Sequence, residues 1–352
     1  MFGVYRTVLA LFVVMQHLGG VPIIGQYAVQ GFFVLSGYLM TYVMHNSYGY
    51  SARGRLSFTM NRFLRLYPSY WATVILTLIV ITLVGSSTAA TFHPSIRFPD
   101  NPQSWLSNLT MLYPNIWPNT VTPRLSPATW ALTLELIFYG VICIGASANY
   151  RLTLAFAALG LAYHVVITVL GFGTGLRYFA IPSASLPFAL GGLMYFFRQR
   201  IDWSDRLSQL DGNVAGAVVC AAPFALAIIA MRMEAVGAMR ISTLCYYANM
   251  VAAVGSVALL QALTGSRKID SAIGDLSYHI YILHWIIGMV VFSQMFDTPS
   301  ADKYTGMIGI PVTVTLLICV AISVFYTETI DKPIERLRRQ IKARSPSQLA
   351  MS

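Results

Sequence analysis

Ten apolar runs of 17 to 22 residues divide this chain of 352 residues, and as α-helix each is long enough to cross roughly 30 Å of hydrocarbon. They fall at about 6–24, 27–45, 69–85, 128–147, 152–170, 178–197, 213–231, 242–263, 277–296 and 306–326. The alternating ten-residue strands of an outer-membrane barrel are absent from the pattern. With 56% of residues apolar and only 10% charged, the chain is far from soluble proteins, in which about a quarter of residues are charged. The expected fold is all-α: a polytopic integral membrane protein with about ten transmembrane helices.

An even number of spans puts both termini on one side. Placing them in the cytoplasm assigns 17 of the 23 Lys and Arg to inside connections and leaves Arg97, Arg124, Arg177, Arg232, Arg240 and Lys303 outside, which satisfies the positive-inside rule. The net charge of +10 is thus a topology signal that calls for membrane lipids and no nucleic acid. A cleaved leader at the first run is not expected, because no A-x-A site follows it. Cys143, Cys220, Cys245 and Cys319 all fall within runs and read as small packing residues, with no metal spacing. The longest connection, about 86–127, is outside and rich in Pro, Asn and Trp. An acceptor-binding lid and an interfacial aromatic belt fit it equally.

Polar residues inside the runs carry the functional signal. Arg6 and His17, in RTVLALFVVMQH, are eleven residues apart, which is three helical turns plus about 20°, so they share a face roughly 16 Å apart. Such groups at membrane depth face a bundle interior or a cavity and mark a proton, ion or substrate path. Glu135, in SPATWALTLELIFYG, is expected about 10 Å below the outer surface, with Tyr139 on the same face and Trp130 nearer the end. In LSYHIYILHWI, Ser277, Tyr281 and His284 form one stripe and His279 falls on another face. The segment SARGRLSFTMNRFLRLYPSYW carries Arg53, Arg55, Arg62 and Arg65. Their guanidinium forks suit the phosphates of a nucleotide or coenzyme donor; as topogenic charges they would contact anionic headgroups instead.

Taken in order, R-x10-H, GFFVLSGYLMT, R-x-x-R in RFLRLYP, W-x4-E, LSYHIYILHW and a basic tail after ETIDKP resemble the membrane acyltransferase-3 family, bacterial enzymes that O-acylate polysaccharides, O-antigens, peptidoglycan, Nod factors and macrolides. The resemblance covers about residues 4–339, the expected membrane domain, and leaves 340–352 as a cytoplasmic basic tail. It implies that Arg6 and His17 are needed for activity, that Arg62 and Arg65 are the family's arginine pair, and that Glu135 is its carboxylate. His284 matches a recurrent family histidine, and Ser36, Trp130, Tyr139 and Tyr281 stand as supporting residues. Val4 occupies a position where the family often has Asp, and Asp331 one where it has Glu before Lys-Pro. Larger members append an esterase-like domain; the expectation here is the stand-alone form.

The chemistry follows from the residue types. Transfer to a sugar hydroxyl needs a base as the thioester carbonyl is attacked, and histidine, aided by a carboxylate, suits the task. His17 is expected to be that base or to carry the acyl group itself. Glu135 is expected to orient it or to accept its proton, Arg6 to bind donor or developing charge, and Arg62 and Arg65, with Arg53 and Arg55 nearby, to hold the phosphates of acetyl-CoA. The expected order of depth is arginines, then Arg6 and His284, then His17, with Glu135 nearest the outside. The acceptor would be an exopolysaccharide or O-antigen, and the location the bacterial cytoplasmic (inner) membrane. The rival reading is a transporter or flippase for a lipid-linked glycan, with Gly31, Gly37, Gly191 and Gly192 as hinges; repeats and broken helices, which such proteins often carry, are not evident. A scaffold would leave the intramembrane Arg, His and Glu unexplained.

Overall fold

A computed structural model describes residues 2–113, 123–200, 212–262, 267–296 and 309–343. Among them there are helices and no strands. Thirteen α-helices are described, α1 (Phe2–His17), α2 (Ile24–Val43), α3 (Ala52–Val84), α4 (Ser86–Phe92), α5 (Pro102–Thr110), α6 (Thr129–Val141), α7 (Tyr150–Val169), α8 (Ser185–Arg200), α9 (Gly212–Ala235), α10 (Met239–Ala262), α11 (Arg267–Met295), α12 (Ile310–Tyr326) and α13 (Lys332–Ala343). Eight helical segments among the described residues are long and apolar enough to cross a membrane, and α1 is a shorter apolar helix. The sixteen-residue α8 packs against α2 and α7. The protein is therefore an all-α, multi-pass membrane protein.

Two helix crossings hold the centre. At α2 against α8, a Cβ on Gly37 would lie 2.1 Å from the Phe188 carbonyl oxygen, and one on Gly191 would lie 2.0 Å from that of Val34. These glycines let two backbones touch, as small residues do in membrane interfaces, and so pack rather than hinge. At α1 against α11, a Cβ on Gly3 would fall 1.7 Å from the Asp270 carbonyl. The Asp270 carboxylate accepts from the backbone N–H of Gly3 and Val4, both at 3.0 Å. It caps α1 from another helix, satisfying donors that the first turn leaves unpaired.

Three expected boundaries change. The arginine-rich segment before residue 69 is not a connection, because α3 runs unbroken over 33 residues, about 50 Å. Ser51 caps it by accepting from Gly54 N, and Pro68 lies within it. Hydropathy falls at the arginines, but nothing there stops a helix. The span expected at 178–197 begins its α-helix only at Ser185, after a wide turn at Gly175–Phe179 and a tight one at Ile181–Ala184. The first helix ends at His17 rather than near 24.

The start of α1 and the whole of α13 lie at one end of the bundle. Asn61 of α3 donates to the Arg338 carbonyl at 3.2 Å and accepts from the Arg338 guanidinium, while Arg65 reaches both Asp275 of α11 and Asp331 before α13. We call this the arginine end. Of the long connection expected outside, residues 114–122, which include most of LYPNIWPNT, lie outside the described residues, as do 344–352 of the basic tail.

Candidate active site

The arginine end opens into a cavity of about 130 Å³ between α1, α2, α3, α6 and α11. That is room for roughly four waters, at about 30 Å³ each. Arg6, Ser36, Arg62, Arg65, Glu135, Tyr139, Ser277 and Tyr281 all line it, so most of the residues singled out in the sequence meet there. Arg53 and Arg55 do not line it. Arg53 is exposed in the first turn of α3, and Arg55 takes a carbonyl contact from Cys143. Trp130 also points elsewhere, packing edge-on against Tyr178 at 4.9 Å between ring centroids.

The arginines in the cavity are not equivalent. Arg65 is neutralised by Asp275 and Asp331, each at 3.3 Å, and Asp331 also accepts from Ser69 at 3.0 Å and meets His279 at 3.4 Å. Asp331 thus reaches Arg65, Ser69 and His279 at once. Arg62 donates to Asn61 at 2.9 Å and has no carboxylate partner among the described residues. Arg6 has neither hydrogen bond nor ion pair among them, and its Nε is buried without a partner. A cation held this way in a membrane protein is costly unless something anionic joins it.

Glu135 is the cavity's carboxylate. It accepts from Ser36 Oγ at 2.7 Å and from the Tyr139 hydroxyl. Here the expectation that Glu135 orients His17 fails in its direct form, since the two share no hydrogen bond among the described residues. The expected place of Glu135 in the depth order also changes. The residues before α6 enter the bundle, where Ser126 Oγ donates to the Ile282 carbonyl at 3.0 Å and Ala128 O accepts from the Tyr281 hydroxyl at 2.9 Å. Helix α6 therefore starts deep, level with Tyr281, and runs toward the arginine end, where Cys143 meets Arg55. Counting Glu135 from a surface start placed it on the wrong side of His17.

His17 stands beyond the other end of the cavity. Its Nδ1 is 2.9 Å from Nε2 of His284, a residue with 0% exposure. His284 Nδ1 in turn meets the carbonyl of Tyr281 at 2.8 Å. Because Tyr281 lines the cavity and His284 is three residues on, the histidine pair is about one helical turn past the cavity's inner wall. The Trp285 ring packs on His17 at 4.9 Å, and His93, from the long connection after α4, meets Trp285 edge-on at 4.4 Å. His93 was not marked by the sequence: it lies in an irregular segment after α4 where no periodicity flags it. Burial and the nearby Arg124 push its imidazole down to about 4. Among the described residues no group of three or more His, Cys, Asp or Glu forms a metal site.

The fold and site thus define a multi-pass membrane protein with a positively charged internal cavity and, about one helical turn past its inner wall, a buried histidine pair. A family model described as an acyltransferase domain matches residues 3–327. The chain belongs to the acyltransferase-3 family. No curated protein and no solved structure gives a match.

Proposed function

We propose that this acyltransferase is an O-acetyltransferase of the bacterial cytoplasmic membrane. It would take acetyl from cytoplasmic acetyl-CoA and give it to a hydroxyl of a cell-surface glycan, such as exopolysaccharide or O-antigen. The observation that carries the reading is Arg6, whose Nε is buried without a partner, lining a cavity whose inner wall is about one helical turn from His284, the partner of His17.

The residues fit an acyl-coenzyme donor. Arg6 and Arg62 bring two guanidinium groups without carboxylate partners against the single carboxylate of Glu135, a net positive site that favours phosphate oxygens. Arg65 is already compensated and holds α3 to α11. Arg53, exposed at the same end, adds charge near the mouth. The donor supplies an activated thioester. Tyr281 and Phe32, whose rings meet at 6.0 Å, form the apolar wall along which its acyl end would approach the histidines.

His17 acts as general base, accepting the hydroxyl proton as the acceptor oxygen attacks the acyl carbonyl, and returning it to the leaving sulfur. Glu135 tunes the charge of the donor site and holds Ser36 and Tyr139 in place. Transfer of isotopically labelled acetyl to glycan, in membranes with the wild-type chain or His17→Ala at matched expression, tests the reading. Label in wild type and none in the variant supports it; label in neither removes the donor and acceptor assignment; equal label in both removes His17 as base.

A further inference from the structure

We infer that His284 is a positioning residue that fixes the ring tautomer of His17 and leaves His17 Nε2 as the bare base. The inference rests on the reading of His17 as the base of acyl transfer. Hydrogen-bond polarity carries it. A peptide carbonyl only accepts, so the 2.8 Å contact between His284 Nδ1 and Tyr281 O places a hydrogen on Nδ1. No carboxylate among the described residues bonds to either ring, and a buried imidazolium without one is costly. A neutral His284 therefore carries its lone pair on Nε2. His17 Nδ1, 2.9 Å away, must then donate, and a neutral His17 with its hydrogen on Nδ1 has none on Nε2.

The surroundings lock this chain of donors. His284 is fully buried, so its ring cannot turn to offer the other nitrogen to water. Tyr281 is held at both ends, its hydroxyl on Ala128 O and its carbonyl on His284. The Trp285 ring, 4.9 Å from that of His17, restricts the remaining rotation. The arrangement does what a carboxylate does behind a catalytic histidine, setting tautomer and orientation, but with a neutral partner.

The reaction balances through these atoms. As the acceptor oxygen bonds to the acyl carbon, its proton moves to His17 Nε2, and the imidazolium stays hydrogen-bonded through Nδ1–H to His284 Nε2. When the carbon–sulfur bond breaks, the proton leaves Nε2 for the sulfur. A neutral partner holds the imidazolium less tightly than a carboxylate would, which favours that return.

Nitrogen-15 NMR of ring-labelled histidines in the full chain in detergent micelles tests the inference, with the His17 signals identified by their loss in His17→Gln. In wild type, His17 Nε2 should resonate as unprotonated and Nδ1 as protonated. His284→Leu should move His17 toward the Nε2–H form and lower kcat at least about 100-fold, with the KM for acetyl-CoA within about twofold. His284→Gln, whose amide oxygen can accept from His17 Nδ1–H, should recover at least about tenfold of that loss and the wild-type tautomer. A wild-type His17 protonated on Nε2, or a tautomer unmoved by His284→Leu, overturns the inference. The expected tautomer together with an active His17→Gln overturns the base reading instead, so the two failures are separable.

Discussion

Ser36 Oγ donates to Glu135 at 2.7 Å, across the cavity between α2 and α6. This places Glu135 among Arg6, Arg62 and Arg65 in one cavity, and away from the histidine it was expected to orient. The proposed function would divide the work accordingly, with charge recognition at the arginine end and proton transfer at the histidines.

Removing the charge of Glu135 alone should therefore act on binding. Glu135→Gln keeps an oxygen for Ser36 and Tyr139 but deletes the cavity's carboxylate, so acetyl-CoA should bind several-fold tighter by titration at low salt, with the gain shrinking as salt rises. Glu135→Ala leaves both hydroxyls unpaired and should cost about 1–3 kcal/mol of stability.

The two arginines of the R-x-x-R pair should separate by phenotype. Arg65→Ala strands Asp331, whose side chain is 14% exposed, and the more open Asp275, at 35%, and should lower stability by about 2 kcal/mol, most of it from Asp331. Arg62→Ala breaks one hydrogen bond to Asn61 and should unfold almost like wild type while binding acetyl-CoA at least about tenfold more weakly. Thermal unfolding and donor titration on the same samples distinguish them.

His93 makes a pH prediction. Its folded pKa, near 4, lies below the ordinary value of 6.5, so between those two values the unfolded chain binds a proton that the folded one refuses. Stability should thus be complete above about pH 6.5 and fall as pH drops toward 4, by up to about 3 kcal/mol. The slope should flatten in His93→Gln, measured as the unfolding midpoint in detergent from pH 4 to 7.

Gly37→Ala should fail where most membrane Gly→Ala changes succeed. The new Cβ would meet the Phe188 backbone oxygen, which cannot move without its helix. A loss of about 1–3 kcal/mol is expected, and less at Gly140, where a Cβ meets open space.

Much of this was legible in the sequence, for a physical reason. A buried charge must be served by other buried polar groups, so Arg6 and Glu135 were each expected to face a polar interior, and the structure gathers both, with Arg62 and Arg65, around one cavity. Depth was not legible. Hydropathy marks where lipid begins, yet α3 runs helical through its arginines, and Ser126 and Ala128 dive into the bundle before α6 begins. Long-range partners were equally hidden: nothing in the spacing of Ser69, His279 and Asp331 foretells that they meet, nor that His93 approaches Trp285 from a loop. His284 was visible as a polar residue on a stripe, but only its 2.9 Å contact with His17 gives it a task.

The most direct test of the central claim is single-turnover acetyl transfer by purified His17→Gln, with acetyl-CoA affinity measured on the same preparation. The account predicts donor binding within about twofold of wild type and transfer reduced at least about 100-fold. Transfer at the wild-type rate with the donor bound normally would contradict it.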